Sequence, residues 1–318
     1  MGASGITSTT VLSAAKSIQD ESQHWKWVFL AAFMITSAMS TQPTTDATNQ
    51  RVLSNLAYVL AGLAVGFGTK LGNGCTSGHG ICGLARLSKR SFTAVCTFMA
   101  VGIMSAYLTS ENFNMFPKYT EPLRGDALPV DDEKLGQAVA SAFLGLALVA
   151  TAFFGSKASV TKKADKAKLV PAAISAFLFA RGLNRSTMVL QNKVFGFLNV
   201  AGITDGTFDL SLMFVMGGGL IVSFLSYQLI NEWKVMNTPV SLNCPLATKS
   251  GSGKFSVPTN KTIDAQLVIG SAMFGVGWGL GGLCPGPALF AAAQGTVPVV
   301  YYWWPAFFVG SYIASKLK

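Results

Sequence analysis

Cysteine and histidine are the residues best able to do chemistry here, and they are few: five cysteines and two histidines in 318 residues. Three of them, Cys75, His79 and Cys82, fall within residues 66–90, interleaved with Gly72, Gly74, Gly78, Gly80 and Gly83. A fourth, Cys284, ends a related stretch. Residues 275–284 read G-V-G-W-G-L-G-G-L-C, against G-F-G-T-K-L-G-N-G-C at 66–75. Gly66/Gly275, Gly68/Gly277, Leu71/Leu280, Gly72/Gly281 and Cys75/Cys284 are identical, so one unit is used twice, each copy with one thiol. A thiol is a weak donor with a polarisable sulphur. It suits a soft anion, a metal ion or thiol exchange.

Each chemistry asks for its own pattern. Cys75, His79 and Cys82 stand at i, i+4 and i+7, one face of a regular helix. With Cys284 they would make a Cys₃His set of the kind that holds zinc. The intervening glycines work against a regular helix, and no carboxylate is near to support the histidine. Redox pairs favour Cys-x-x-Cys, whereas Cys75 and Cys82 are seven apart, roughly 10 Å on a helix and beyond the reach of a disulfide. No cofactor motif occurs. A membrane thiol oxidoreductase or sulphur transferase and a Cys/His metal-binding protein therefore stand as alternatives to an anion path. Cys96 lies in an apolar run and Cys244 in a loop, and both read as structural.

The elements that must hold these residues are those of a membrane protein. Half the chain is hydrophobic and only 12 % is charged, against about a quarter in ordinary soluble domains. Leu135–Phe154, Phe92–Leu108 and Val297–Ile313 carry no charge, and each has the length that a bilayer core requires of a helix. The fold expected is all-α and polytopic. Eight spans fall near 25–41, 51–71, 91–109, 134–155, 168–182, 208–230, 263–281 and 297–315. Segments 72–88, 183–199 and 282–295 are too short and too broken by glycine or proline to cross, so they read as re-entrant segments with short helices. Residues 1–24, polar and Ser/Thr-rich, are expected to be a disordered tail. Two membrane halves follow, 25–160 and 161–318. The net charge of +10 comes from loop lysines and arginines and not from one face, which excludes a nucleic-acid partner.

Loop charge sets the orientation. Loop 156–168 contains Lys157, Lys162, Lys163, Lys166 and Lys168, and loop 231–262 contains Lys234, Lys249, Lys254 and Lys261, so both are expected in the cytoplasm with the two termini. The acidic loop 110–134 then lies outside. The Cys75 and Cys284 segments enter from opposite faces, an inverted pseudo-repeat with its transport site near the midplane. Arg181 and Arg185 end a span on the outer side, where arginine at membrane depth marks function, here anion collection. Tyr301, Tyr302, Trp303 and Trp304 suit an interfacial belt. A weaker third copy aligns Phe179-Ala180-Arg181-Gly182 with Phe274-Gly275-Val276-Gly277 and puts Val189 in the cysteine position.

The motif from Gly66 to Ser91, G-F-G-x-x-L-G-N-G-C-T-S-G-H-G-I-C-G-L-x-R-L-S-x-R-S, and the one from Gly275 to Leu289, G-x-G-W-G-L-x-G-x-C-P-G-P-A-L, resemble the two signatures of the YeeE/YedE sulphur-transport family. The stretch Lys193–Asn199, followed by Leu212–Gly219, resembles the second component of its two-chain members, so both components look fused. The resemblance implies an integral plasma-membrane transporter that imports a small sulphur oxyanion, thiosulfate above all. It needs no cofactor or metal, and it hands sulphur to a cytoplasmic accepting protein. It assigns the pathway to Cys75 and Cys284, with Cys82, His79, Gly74, Gly78 and Gly282 beside them. His79 either orients the anion or is a hydrogen-bonded structural histidine.

Overall fold

The computed structural model describes residues 3–12, 24–40, 53–111, 169–204, 206, 208–229 and 260–317, and these are helical with short turns between. Chain order gives α1 (Ala3–Leu12), α2 (His24–Ala38), α3 (Asn55–Leu71), a π-helical segment (Thr76–Gly83), α4 (Lys89–Glu111), α5 (Leu169–Arg185), α6 (Gln191–Leu198), a 3₁₀ turn (Val200–Ile203), α7 (Ser211–Leu229), α8 (Ala265–Gly281), α9 (Pro285–Ala293), a π turn (Val299–Trp303) and α10 (Trp304–Lys316). The expected span 134–155, the loop 156–168, residues 112–134 of the acidic loop, residues 231–259 of the second basic loop, and Cys244 lie outside the described residues.

Glycine decides how the long helices meet. A Cβ at Gly68 of α3 would strike the backbone of Phe274 and Gly270 in α8, and one at Gly277 of α8 would come within 2.7 Å of the Ala61 carbonyl in α3. As numbers rise along α3 they fall along α8, so the two run antiparallel. Each also packs along one further helix. Gly66 of α3 lies on Phe307 of α10, and Gly275 of α8 lies 2.7 Å, at its absent Cβ, from the Phe98 carbonyl of α4. Hydrogen bonds repeat the pattern: the Ser311 hydroxyl of α10 donates to Gly66 (3.1 Å) and the Ser105 hydroxyl of α4 to Val276 (3.2 Å). What copy one does to copy two, copy two does in return. The repeated glycines are therefore helix-crossing positions, where a side chain would push backbones apart.

Among the described residues, the helices at 24–38, 55–71, 211–229, 265–281 and 304–316 are shorter than the spans expected there, and those at 89–111 and 169–185 are longer. Among the described residues Lys89–Thr109 alone is long and apolar enough to cross a bilayer, and α8 with α9, bent by 42° at their break, passes as a pair. Asn55–Leu71 and Ser211–Ser226 are shorter apolar helices. The span expected at 297–315 is divided by its π turn.

Two expectations are corrected. Residues 3–12 are ordered as α1, which packs against α2, α3, α9 and α10 with Ile6, Thr7 and Thr10 buried. Its polar composition is compatible with burial because Thr7, Thr9 and Thr10 donate back to the carbonyls of Ala3, Gly5 and Ile6. Trp303 and Trp304 form no belt. Both are buried, Trp303 stacked on Phe307 and Trp304 edge-on to both rings, and the Trp304 indole donates to the Ala288 carbonyl at 3.1 Å.

Candidate functional site

The two cysteine motifs fold alike. Gly72 caps α3 and Gly282 caps α8, and the matched residues Asn73 (φ 61°) and Gly282 (φ 60°) are both left-handed. That conformation suits glycine and is tolerated by asparagine. Two residues later each cysteine is extended: Cys75 has φ −127°, ψ −170° and Cys284 has φ −110°, ψ 166°. Each is also the N-cap of a short helix. The His79 amide bonds the Cys75 carbonyl and the Ala288 amide the Cys284 carbonyl, both at 2.9 Å. In copy two Pro285 opens the helix, where its missing N–H costs nothing.

These turns bring the two thiols together across 209 residues of chain. Both are buried. Both belong to one buried cluster, and the side chain of Thr76, the residue after Cys75, faces the Cys284 thiol. Cys75 contacts the Ser77 hydroxyl at 3.3 Å. The N-termini of the π-helical segment and of α9 converge on the pair, presenting amides that have no partner in their own helix.

His79 belongs to the scaffold of this turn. One ring nitrogen, Nε2, faces the Gly72 carbonyl and the other, Nδ1, the Ser91 hydroxyl, each at 3.1 Å. A carbonyl only accepts, so in the neutral ring Nε2 donates and Nδ1 accepts from Ser91. The ring folds over Gly74, where a Cβ would come within 2.5 Å of it. The spacing argument for a metal face is corrected here, because Cys82 is exposed while Cys75 and His79 are buried. A π-helical backbone places i, i+4 and i+7 differently from an α-helix. Gly78 faces open space, and Gly282 is closed by the Phe195 ring and the Gln191 carbonyl.

The arginines stand apart from the thiols. Arg181 is half-buried, 3.5 Å from the Ser40 hydroxyl, and Arg185 is exposed one turn on. Between them Leu183, with Phe179, packs on Gly286 of α9, so the arginine face is turned away from that contact. Sequence reasoning missed Gln191. Its amide donates to the Gly281 carbonyl at 2.6 Å and its oxygen accepts from the Tyr58 hydroxyl at 3.0 Å. The only signal was a polar residue opening an otherwise apolar helix. The middle copy is also one residue longer than aligned. Counted from its left-handed Thr187, Val189 takes the cysteine position, yet α6 starts later with Leu190 at its N-cap.

A sulphur-transport family profile matches residues 7–105, and a family of unknown function (DUF6691) matches 167–317. A protein of Xylella fastidiosa strain 9a5c, named "Probable transporter", is 39 % identical over 131 residues, 41 % of this chain and 79 % of that protein. The chain belongs to the sulphur-transport family. A "Probable transporter" of the Temecula1 strain is 38 % identical over 131 residues, 41 % of this chain and 78 % of its own. A further Temecula1 "Probable transporter" is 54 % identical over 48 residues, 15 % of this chain and 36 % of its own length. No solved structure matches. For a sulphur-transport protein the two profile matches fall on different halves of one chain, as two fused components would. The first match includes most of α1.

Proposed function

We propose that this chain is a polytopic plasma-membrane transporter that imports a small sulphur oxyanion, thiosulfate first, past the Cys75–Cys284 pair. The observation that carries the reading is the meeting of the two motif thiols at the starts of two short helices. Helix N-termini carry positive partial charge and favour anions. Stripping water from a divalent anion is costly in an apolar path, and the first-turn amides offset part of that cost. The soft terminal sulphur of thiosulfate then meets two polarisable thiols, with the backbone of Gly74, Gly78 and Gly282 shaping the passage. Antiparallel, reciprocal packing of α3 and α8 supports an inverted repeat with its site near the bilayer midplane. Exposed Phe92, Met104 and Leu108 on α4, Phe214, Ile221 and Val222 on α7, and Val309 and Ile313 on α10 support contact with lipid. Arg181 and Arg185 are assigned to an outer vestibule. Both termini and a sulphur-accepting partner protein are assigned to the cytoplasm.

Uptake of labelled thiosulfate into proteoliposomes tests this. Saturable uptake is expected, with sulfate, which lacks the soft sulphur, competing weakly. Cys75→Ala and Cys284→Ala should abolish uptake, Cys82→Ala should reduce it, and Cys96→Ala, on an exposed face of α4, should leave it near wild type. Wild-type uptake by both motif variants would overturn the thiol pathway. Loss of uptake on adding a thiol reductant would favour a thiol oxidoreductase instead.

A further inference from the structure

We infer that Gln191 is the positioning residue of the Cys284 half of the site, the counterpart of His79 in the Cys75 half. The inference rests on the pathway proposed above and extends it to the middle of the chain, which has no thiol of its own. Gly72 and Gly281 are matched positions of the repeat, each the last glycine before the left-handed turn. Both carbonyls accept a side-chain N–H from a short helix. At Gly72 the donor is His79 Nε2, from the helix that follows its own cysteine. The same position in copy two is Ala288, which has no donor. Gln191 Nε2 takes its place, from the first residue of α6.

The parallel extends outward. A second hydroxyl orients each donor: Ser91 on α4 for His79, Tyr58 on α3 for Gln191. The amide has one satisfactory orientation, since Gly281 offers only an acceptor and the tyrosine hydroxyl donates to Oε1. Helix α6 holds the turn at two more points, because the Gln191 carbonyl and the Phe195 ring close on Gly282, 3.0 and 2.9 Å from where a Cβ would stand. The segment from Gly281 to Cys284 is thus held from outside its own copy. The middle copy gave up a thiol and supplies a hydrogen bond that copy two lacks.

The test separates the two halves. In chains that keep only Cys75 or only Cys284, the rate of alkylation by a membrane-permeant maleimide reports the setting of each thiol. Gln191→Glu keeps the acceptor for Tyr58 and loses the donor to Gly281. It should change the Cys284 rate about tenfold, the size of one lost hydrogen bond to a buried carbonyl, and leave Cys75 unchanged. Tyr58→Phe should shift Cys284 in the same direction and less. His79→Ala should shift Cys75 and spare Cys284. In the chain with all its cysteines, Gln191→Glu should also lower thiosulfate uptake. If Gln191→Glu moves both thiols alike, or neither, the inference fails. If the parent chain takes up no thiosulfate, the functional reading fails while the alkylation rates still decide this one.

Discussion

At the scale of single residues the proposed site divides its labour between two buried motif thiols and side chains that hold the backbone presenting them. Cys75 and Cys284 belong to the first group by position, His79 and Gln191 to the second. His79 spends both ring nitrogens on the protein, which supports the structural of the two roles its sequence position left open. Replacing it with alanine leaves the buried Gly72 carbonyl without its donor and a hollow above Gly74. A loss of about 1–3 kcal/mol is expected, read as a lower midpoint of thermal unfolding in detergent. His79→Gln should recover a large part of it. Equal stability of His79→Ala and wild type would remove the ring from the scaffold. The cysteine motifs were legible because identical residues at identical spacing are visible without coordinates. Gln191 was not, since its partners Tyr58 and Gly281 lie 133 and 90 residues away.

At the scale of elements, the glycines in these motifs serve two purposes that spacing alone does not separate. Gly282 is needed for a left-handed backbone, whereas Gly66, Gly68, Gly275 and Gly277 let α3, α8, α4 and α10 approach until backbone meets backbone. Both uses look the same in a sequence, as G-x-G before a cysteine. They separate in mutants. Gly66→Ala and Gly277→Ala force atoms into the Phe307 and Ala61 backbones, and overpacking of this kind costs about 1–3 kcal/mol each. Gly217→Ala on α7, where a Cβ meets nothing within 4 Å, should be neutral or slightly stabilising. Thermal midpoints of the three variants, compared with wild type, check the ordering. If Gly217→Ala proved as damaging as Gly66→Ala, close packing would not be what these glycines are for. Helix α1 was illegible for a related reason: hydroxyls that bond back to their own helix make a polar sequence fit to be buried.

At the scale of the whole molecule, two units meet antiparallel and bring their cysteines into one buried cluster, with a third unit bracing one of them. Helical class and the doubled motif could be read from the sequence. The burial of Trp303 and Trp304 could not, because an aromatic run at a helix start reads equally as a belt or as a core. Cys75 and Cys284 are proposed to form one site for a sulphur anion. The most direct test uses a chain in which Cys82, Cys96 and Cys244 are alanine. This chain is treated with a short bifunctional maleimide in the presence and absence of thiosulfate, and read by intact mass and by peptide mapping. One reagent per chain joining Cys75 to Cys284 is expected, with its formation slowed by thiosulfate and little affected by sulfate. Two separate adducts on each chain, or bridging at the same rate with thiosulfate as without, would contradict it.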